Sequence, residues 1–336
     1  MSLTHRERMQ ACITGDPALD RPPVALWRHF PVDDQTPETL AAATLHFQRT
    51  FDFDLVKVTP ASSFCLRDWG VEDQWQGNPE GTRAYTRRVI QHPRDWEKLP
   101  FLTPDSPHLA AQIACLRLLR RELGSEVPIV QTIFSPLAQA KNLAGGDALI
   151  LHMRRHPDAV LKGLEIITES TRRFIAAAIE AGIDGVFYAV QHAQAHLLTL
   201  DEFNRFGRPF DFRLLQTAVE LPYNLVHLHG KNIHFEAVSR YPCEIFNWHD
   251  RETEWSLSEA RKYYARLGTG SLSPAFCGGI GIETIALGTP AQVRAEITDA
   301  LQQTGGRRHI IGTGCVIPVT TPYGNILAAR RSVEKK

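Results

Sequence analysis

Short runs of β-branched and aromatic residues recur along the chain, and longer stretches of helical period separate most of them. Eight runs stand out: Pro23–Trp27, Asp54–Val58, Pro128–Thr132, Gly185–Ala189, Asn224–His229, Glu244–Trp248, Pro274–Gly278 and His309–Gly312. Each is too short for a helix and has the composition of a strand. The spacing predicts helices over Pro37–Phe51, capped by Thr36, and over Ser106–Leu123, stopped by Gly124. Further helices are expected over His156–Ala181, ending at Gly182, and over Leu200–Glu220, with a break at Pro209. Leu257–Leu267 and Pro290–Thr304 complete the set, with Gly268 and Gly305 as C-caps.

Strands that alternate with helices imply a parallel sheet. Eight such units in a chain of this length imply a closed α/β TIM barrel, (β/α)8, as one domain over residues 1–336. A doubly wound open sheet is the competitor. It ordinarily carries a glycine-rich phosphate turn after its first strand, and Trp27-Arg28-His29-Phe30 is unlike one. A long excursion, from about Thr59 to Leu123, separates the second and third strands, and Asn78–Gly81 marks a hairpin within it.

Composition narrows the class further. Of 336 residues, 43% are apolar and the charges balance, with 37 Lys plus Arg against 37 Asp plus Glu. A disordered polar chain is excluded by that apolar content. With no basic excess to neutralise phosphates, nucleic acid is not an expected partner. The N-terminus MSLTHRERMQACITGD lacks the apolar segment of a secretory signal, and no run is long and apolar enough for a membrane span. The six cysteines are scattered, without C-x-x-C spacing. A cytoplasmic protein with reduced thiols is expected.

Active sites of such barrels lie at the C-terminal ends of the strands. Polar residues gather there: Arg28, Lys57, Gln191, His192, His227, His229, Asn247, His249, Asp250 and Cys315. Residues two apart on a strand share a face, so His227 and His229 are expected to point together into the barrel mouth. Cys315 follows the last run through a Gly-Thr-Gly turn. Two histidines and a thiolate with an open fourth position are the donor set of a catalytic zinc site. Alternatively, the histidines hydrogen-bond within a polar barrel core. Arg28 is a candidate catalytic and substrate-binding group, either an anion clamp or a salt-bridged structural residue. His249 and Asp250 are candidates for an acid/base pair, or for orienting a metal-bound histidine, or for a solvated loop. Gln191, His192 and Asn247 are candidate substrate-binding residues, and Cys277 reads as a small packing residue.

Several stretches together resemble the uroporphyrinogen decarboxylase superfamily over nearly the whole chain. They are RPPVALWR, FSPLAQAKNLAGG, AGIDGVFYAVQHAQAHLLTLDEFNRF, LGTPAQVRAEI and IIGTGCVIPVTTPYGNILAA. The resemblance implies a (β/α)8 barrel and two branches of function: cofactor-free decarboxylation of uroporphyrinogen, and zinc-dependent methyl transfer between corrinoid proteins and thiols such as coenzyme M. The decarboxylase signature survives here only in Arg28, because its second arginine falls on Val32, its aspartate near Thr59 and its terminal histidine on Thr313. The methyltransferase motif, H-x-C-G followed by a late cysteine, is closer. Here it reads His227-Leu228-His229-Gly230 and then Gly314-Cys315, with His229 in place of the cysteine.

The resemblance implies Zn2+ as cofactor, held by His227, His229 and Cys315, which would keep a small thiol as thiolate for attack on a corrinoid methyl group. The corrinoid would be carried by a partner protein, Arg28 would hold an anionic tail of the thiol, and the chain would form a homodimer. The alternatives are a decarboxylase of uroporphyrinogen or a smaller carboxylated substrate, and a non-catalytic barrel that binds a tetrapyrrole or corrinoid.

Overall fold

Parallel hydrogen bonding joins seven strands, in chain order, into one curled sheet. The computed structural model describes residues 2–268 and 273–334. The chain begins with α1 (His5–Thr14), α2 (Pro37–Phe51), β1 (Val56–Val58) and an antiparallel pair, β2 (Glu72–Gln74) and β3 (Ala84–Arg87). Then come α3 (Pro107–Leu123), β4 (Ile129–Phe134), α4 (Pro136–Ala144), α5 (Gly146–Arg155), α6 (Pro157–Glu180) and β5 (Gly185–Val190). The second half runs α7 (Leu200–Phe206), α8 (Arg208–Thr217), β6 (Leu225–Leu228), α9 (Phe235–Val238), β7 (Ile245–Trp248) and α10 (Leu257–Arg266). It ends with β8 (Ala275–Ile280), α11 (Ile282–Leu287), α12 (Pro290–Thr304), β9 (His309–Thr313) and α13 (Tyr323–Arg331). This is a TIM-barrel-like α/β fold.

The expected first strand is not a regular one. Pro22 and Pro23 have no N–H to donate, so a continuous ladder cannot form there. The segment instead lies between the two edge strands. Ala25 N–H donates to the Ile311 carbonyl of β9 at 2.9 Å, and Ile311 N–H donates to Pro23 at 2.8 Å. On the other side, Asp54 N–H donates to the Val24 carbonyl at 2.9 Å. An irregular extended segment thus occupies the place of the eighth strand.

The predicted break at Pro209 is also displaced. The chain bends at Gly207, and Pro209 sits in the first turn of α8, where a missing N–H costs nothing. The hairpin forms as expected, with Gln74 opposite Ala84 and a turn closed by Gly81 N–H to the Asn78 carbonyl.

Side-chain alternation divides the buried residues into two cores. Val226, Leu228, Phe246, Trp248, Phe276 and Ile311 pack outward against the helices. Leu225, Ile245, Ala275, Cys277 and Ile310 fill the barrel interior with Trp27 and Phe187. The register puts Ala189 beside His227, His227 beside Asn247 and Asn247 beside Cys277, so one interior layer carries both packing and polar residues. Below that layer a buried carboxylate, Asp54, receives His5, Arg8, Arg21 and the Val24 N–H. These bonds tie α1 to the N-terminal ends of the strands.

Candidate metal centre and cavity

His227 lies on the interior face of β6, above Leu225. Its ring stacks on Phe187, with centroids 5.3 Å apart and planes at 26°. Its Nδ1 lies 2.6 Å from Oδ1 of Asn247 on the next strand. His229 follows the end of β6, and its own N–H donates to the Val190 carbonyl at 2.9 Å. At Gly230, φ is +99°, and a Cβ would collide with the Gln194 side chain, so glycine turns the chain away directly after the histidine.

Cys315 arrives from the other side of the mouth. The preceding Gly314 passes so close to β7 that a Cβ there would lie 2.7 Å from the His249 Cα and 2.8 Å from the Trp248 carbonyl. This close approach brings the thiol to the histidines. Cys315 Sγ is 3.8 Å from Nε2 of His227 and 3.7 Å from Nδ1 of His229. His249 joins them, its Nε2 3.4 Å from the same Nδ1. All four donor atoms lie within 4.8 Å of one another.

Burial sets the charge state of these groups. It holds His227 well below the usual histidine range, helped by the neighbouring His229 and His249. It lowers His229 and His249 to about 4 each. The imidazoles are therefore neutral at pH 7, the form that binds a metal. Burial pushes the Cys315 thiol up to about 12, so a metal ion would have to displace its proton.

A cavity of about 510 Å³ opens beside the cluster, within the usual size range of small-molecule sites. Gln191 and His192 line it, as do His227, His229 and Cys315. Asn247 does not reach the cavity; it is fully buried behind His227. Asp250 points away as well, its carboxylate accepting the Gly279 N–H, and burial raises it to about 7. Arg28 is on the outer face. Its guanidinium lies over the rings of Phe30 and Phe47 and donates to the Val319 carbonyl at 3.0 Å. The alternation that points His227 inward sends Arg28 outward and its neighbours Trp27 and His29 into the cavity wall.

The cations in the cavity are others. Lys57 reaches it from β1, its ammonium 4.5 Å from the Phe187 ring centre. Burial lowers this lysine to about 7. Lys141 and Arg88 line the same space from α4 and the segment after β3. The charge in the apolar run DLVKV, on the interior face by period two, was the available signal for Lys57. Nothing local marked Lys141 or Arg88, which the tertiary fold brings in.

Comparison with known proteins agrees with this architecture. A methyltransferase from Methanosarcina mazei superposes with a TM-score of 0.83 at 20% identity, covering 98% of each chain. A B12-independent methionine synthase from Shewanella sp. W3-18-1 superposes with a TM-score of 0.56 at 14% identity, over 92% of this chain and 91% of that one. Methylcobamide:CoM methyltransferase MtaA of Methanosarcina barkeri is 25% identical over 224 residues, 66% of this chain and 62% of that protein. Uroporphyrinogen decarboxylase of Synechococcus sp. (strain JA-3-3Ab) is 22% identical over 243 residues, 68% of this chain and 60% of that protein. The matched stretches thus span about six-tenths of these relatives' own length. The family model described as uroporphyrinogen decarboxylase (URO-D) matches residues 4–335. The chain belongs to the uroporphyrinogen decarboxylase family.

Proposed function

We propose that the chain moves a methyl group between a corrinoid and a small thiol, at a zinc ion held by His227, His229 and Cys315. The spacing of the donors carries this reading. Zinc bonds of about 2.0–2.1 Å to nitrogen and about 2.3 Å to sulfur put tetrahedral donors roughly 3.6 Å apart for N and S, and roughly 3.3 Å for N and N. Here Cys315 Sγ lies 3.8 Å from the His227 donor and 3.7 Å from the His229 donor, and His249, the fourth donor, lies 3.4 Å from His229. The methyltransferase among the relatives supports the same reading.

A zinc ion bound there would lower the pKa of a thiol and hold it as thiolate. The chain's own groups prepare the site. Phe187 and Asn247 fix the His227 ring on two sides. His249 comes from the loop after β7 rather than from a strand, and it is the donor that an incoming thiol would replace. Its Nδ1 lies 3.6 Å from a Glu252 carboxylate oxygen, on the side of the ring away from the cluster. In the transfer, the thiol sulfur forms the new bond to the methyl carbon, and the cobalt keeps the electron pair of the broken bond. The corrinoid arrives at the cavity mouth on a partner protein. The six free thiols fit a cytoplasmic setting. Among the described residues, no helix is long and apolar enough to cross a membrane.

The decarboxylase reading is weaker. Its anchor, Arg28, lies outside the cavity, and position 32 is an exposed valine, 70% accessible.

The test is direct. Zinc-loaded protein with methylcobalamin and a thiol is expected to consume the methylcobalamin and form the methyl thioether. His227→Ala is expected to do neither. Full activity in that variant overturns the scheme.

A further inference from the structure

Charge in the cavity is unbalanced. Of the four Lys and Arg side chains that line it, Arg83 is neutralised by Asp34 and Asp73. Lys57, Lys141 and Arg88 have no carboxylate partner among the described residues. Arg88 donates to the carbonyls of Lys141 and Asn142, which orients it but cancels no charge. Glu80 is the one carboxylate among the described lining residues. Lys57 is buried while Lys141 and Arg88 are half-buried; a buried cation without a counterion is costly, and a bound anion would offset that cost.

The three cations are also separated in depth. Lys57 stands at the floor, inside β1 and against the Phe187 ring. Lys141 and Arg88 stand at the rim, on α4 and beside it. Hydrogen bonding at the rim is unfinished as well. His192 Nδ1 and Asn142 Oδ1 are buried without a hydrogen-bond partner among the described residues, and both residues line the cavity.

We infer that the cavity takes a small ligand with two acidic groups, one received by Lys57 at the floor and the other by Lys141 and Arg88 at the rim. The metal donors lie beside this ligand, so its reacting group sits between the two acids. The inference adds a charge class to the thiol reading above and rests on it for the reacting group alone.

Calorimetric titration of the zinc-loaded protein with mercaptosuccinate, mercaptopropionate and mercaptoethanol tests it. The dianion is expected to bind at least about tenfold tighter than the neutral thiol, with the monoanion between them. Lys141→Met and Lys57→Met are each expected to weaken mercaptosuccinate about tenfold more than they weaken mercaptoethanol, and Lys57→Arg is expected to keep the affinity. Thermal melting checks that each variant is folded. Equal affinity for charged and neutral thiols, or no loss in Lys141→Met, overturns the inference and leaves the thiol reading standing. Succinate, which has no sulfur, separates the two further. It is expected to bind metal-free protein, and more weakly after Lys141→Met. If succinate binds in this way while no thiol binds the zinc-loaded protein, the charge inference holds and the thiol reading falls.

Discussion

Asn247 dictates which nitrogen of His227 carries the proton. The Asn247 amide nitrogen faces two backbone carbonyls, Cys277 at 2.8 Å and Thr313 at 2.9 Å. Carbonyls can only accept, so the NH2 group must point to them and Oδ1 must face His227 at 2.6 Å. His227 therefore donates from Nδ1, and its Nε2 lone pair is left facing Cys315. The outer hydrogen bond of a ligand histidine fixes its tautomer and ring orientation, and losing it costs about 10–100-fold in metal affinity. Asn247→Ala is expected to show that loss in competition with a zinc chelator, together with a lower melting temperature from the unpaired carbonyls. Wild-type zinc affinity in this variant would mean that another contact holds the ring.

Metal binding should release one proton. Cys315 is a thiol at neutral pH, its pKa pushed to about 12 by burial, while His229 and His249 sit near 4 and are already deprotonated. Between pH 6 and 8, the affinity for zinc is expected to rise about tenfold per pH unit, the slope for one displaced proton. Titration calorimetry in buffers of different ionisation enthalpy counts that proton. A count near zero would exclude Cys315 as a ligand.

The metal-free fold should weaken in acid. His29, His192, His227, His229, His249 and His309 are all lowered from 6.5, chiefly by burial. The unfolded chain takes up protons below pH 6.5 that the folded chain refuses: His192, His229, His249 and His309 until about pH 4, His29 until about pH 3, and His227 well below 6.5. Stability is therefore present above pH 6.5 and lost as pH falls through that window, by about 1.4 kcal/mol per histidine for each pH unit. Asp211, Asp250 and Glu244 act the other way, because burial raises them and folding then favours their protonated forms as pH falls. His152 is lowered by burial too, so the lowered histidines outnumber the three raised carboxyls and the melting temperature is expected to drop from pH 7.5 to pH 5. A melting temperature that rises over this range would contradict the charge states assigned to the cluster.

Arg28 should matter for stability rather than for ligand. It covers two phenyl rings and holds the Val319 carbonyl. Arg28→Ala is expected to cost about 1–2 kcal/mol of stability and to leave the KM for the thiol unchanged. A large rise in KM would return Arg28 to the substrate site.

Much of this was legible from residue pattern. The strand–helix alternation gave the barrel, and the period-two rule placed His227 and His229 on one face. The same period sends Arg28 outward between Trp27 and His29, which face the cavity. Pro22 and Pro23 signalled that the first run could not pair as a full strand. The first helix carried a readable signature, Thr4 and Glu7 in a reciprocal cap, but its buried face is narrow and the segment reads as merely charged. His249 offered no spacing clue to the cluster, because it enters from the next strand's loop. Lys141 and Arg88 are far apart in the chain and meet through folding alone.

His227 and His229, His249 and Cys315 reach one point from three separate parts of the barrel. Elemental mass spectrometry of the purified protein, with Cys315→Ser beside it, shows whether they hold a single metal ion. About one zinc per chain in the wild type, lost in the variant, is the expected result for a single tetrahedral site. No bound metal in the wild type after incubation with zinc, or undiminished zinc in the variant, would contradict it.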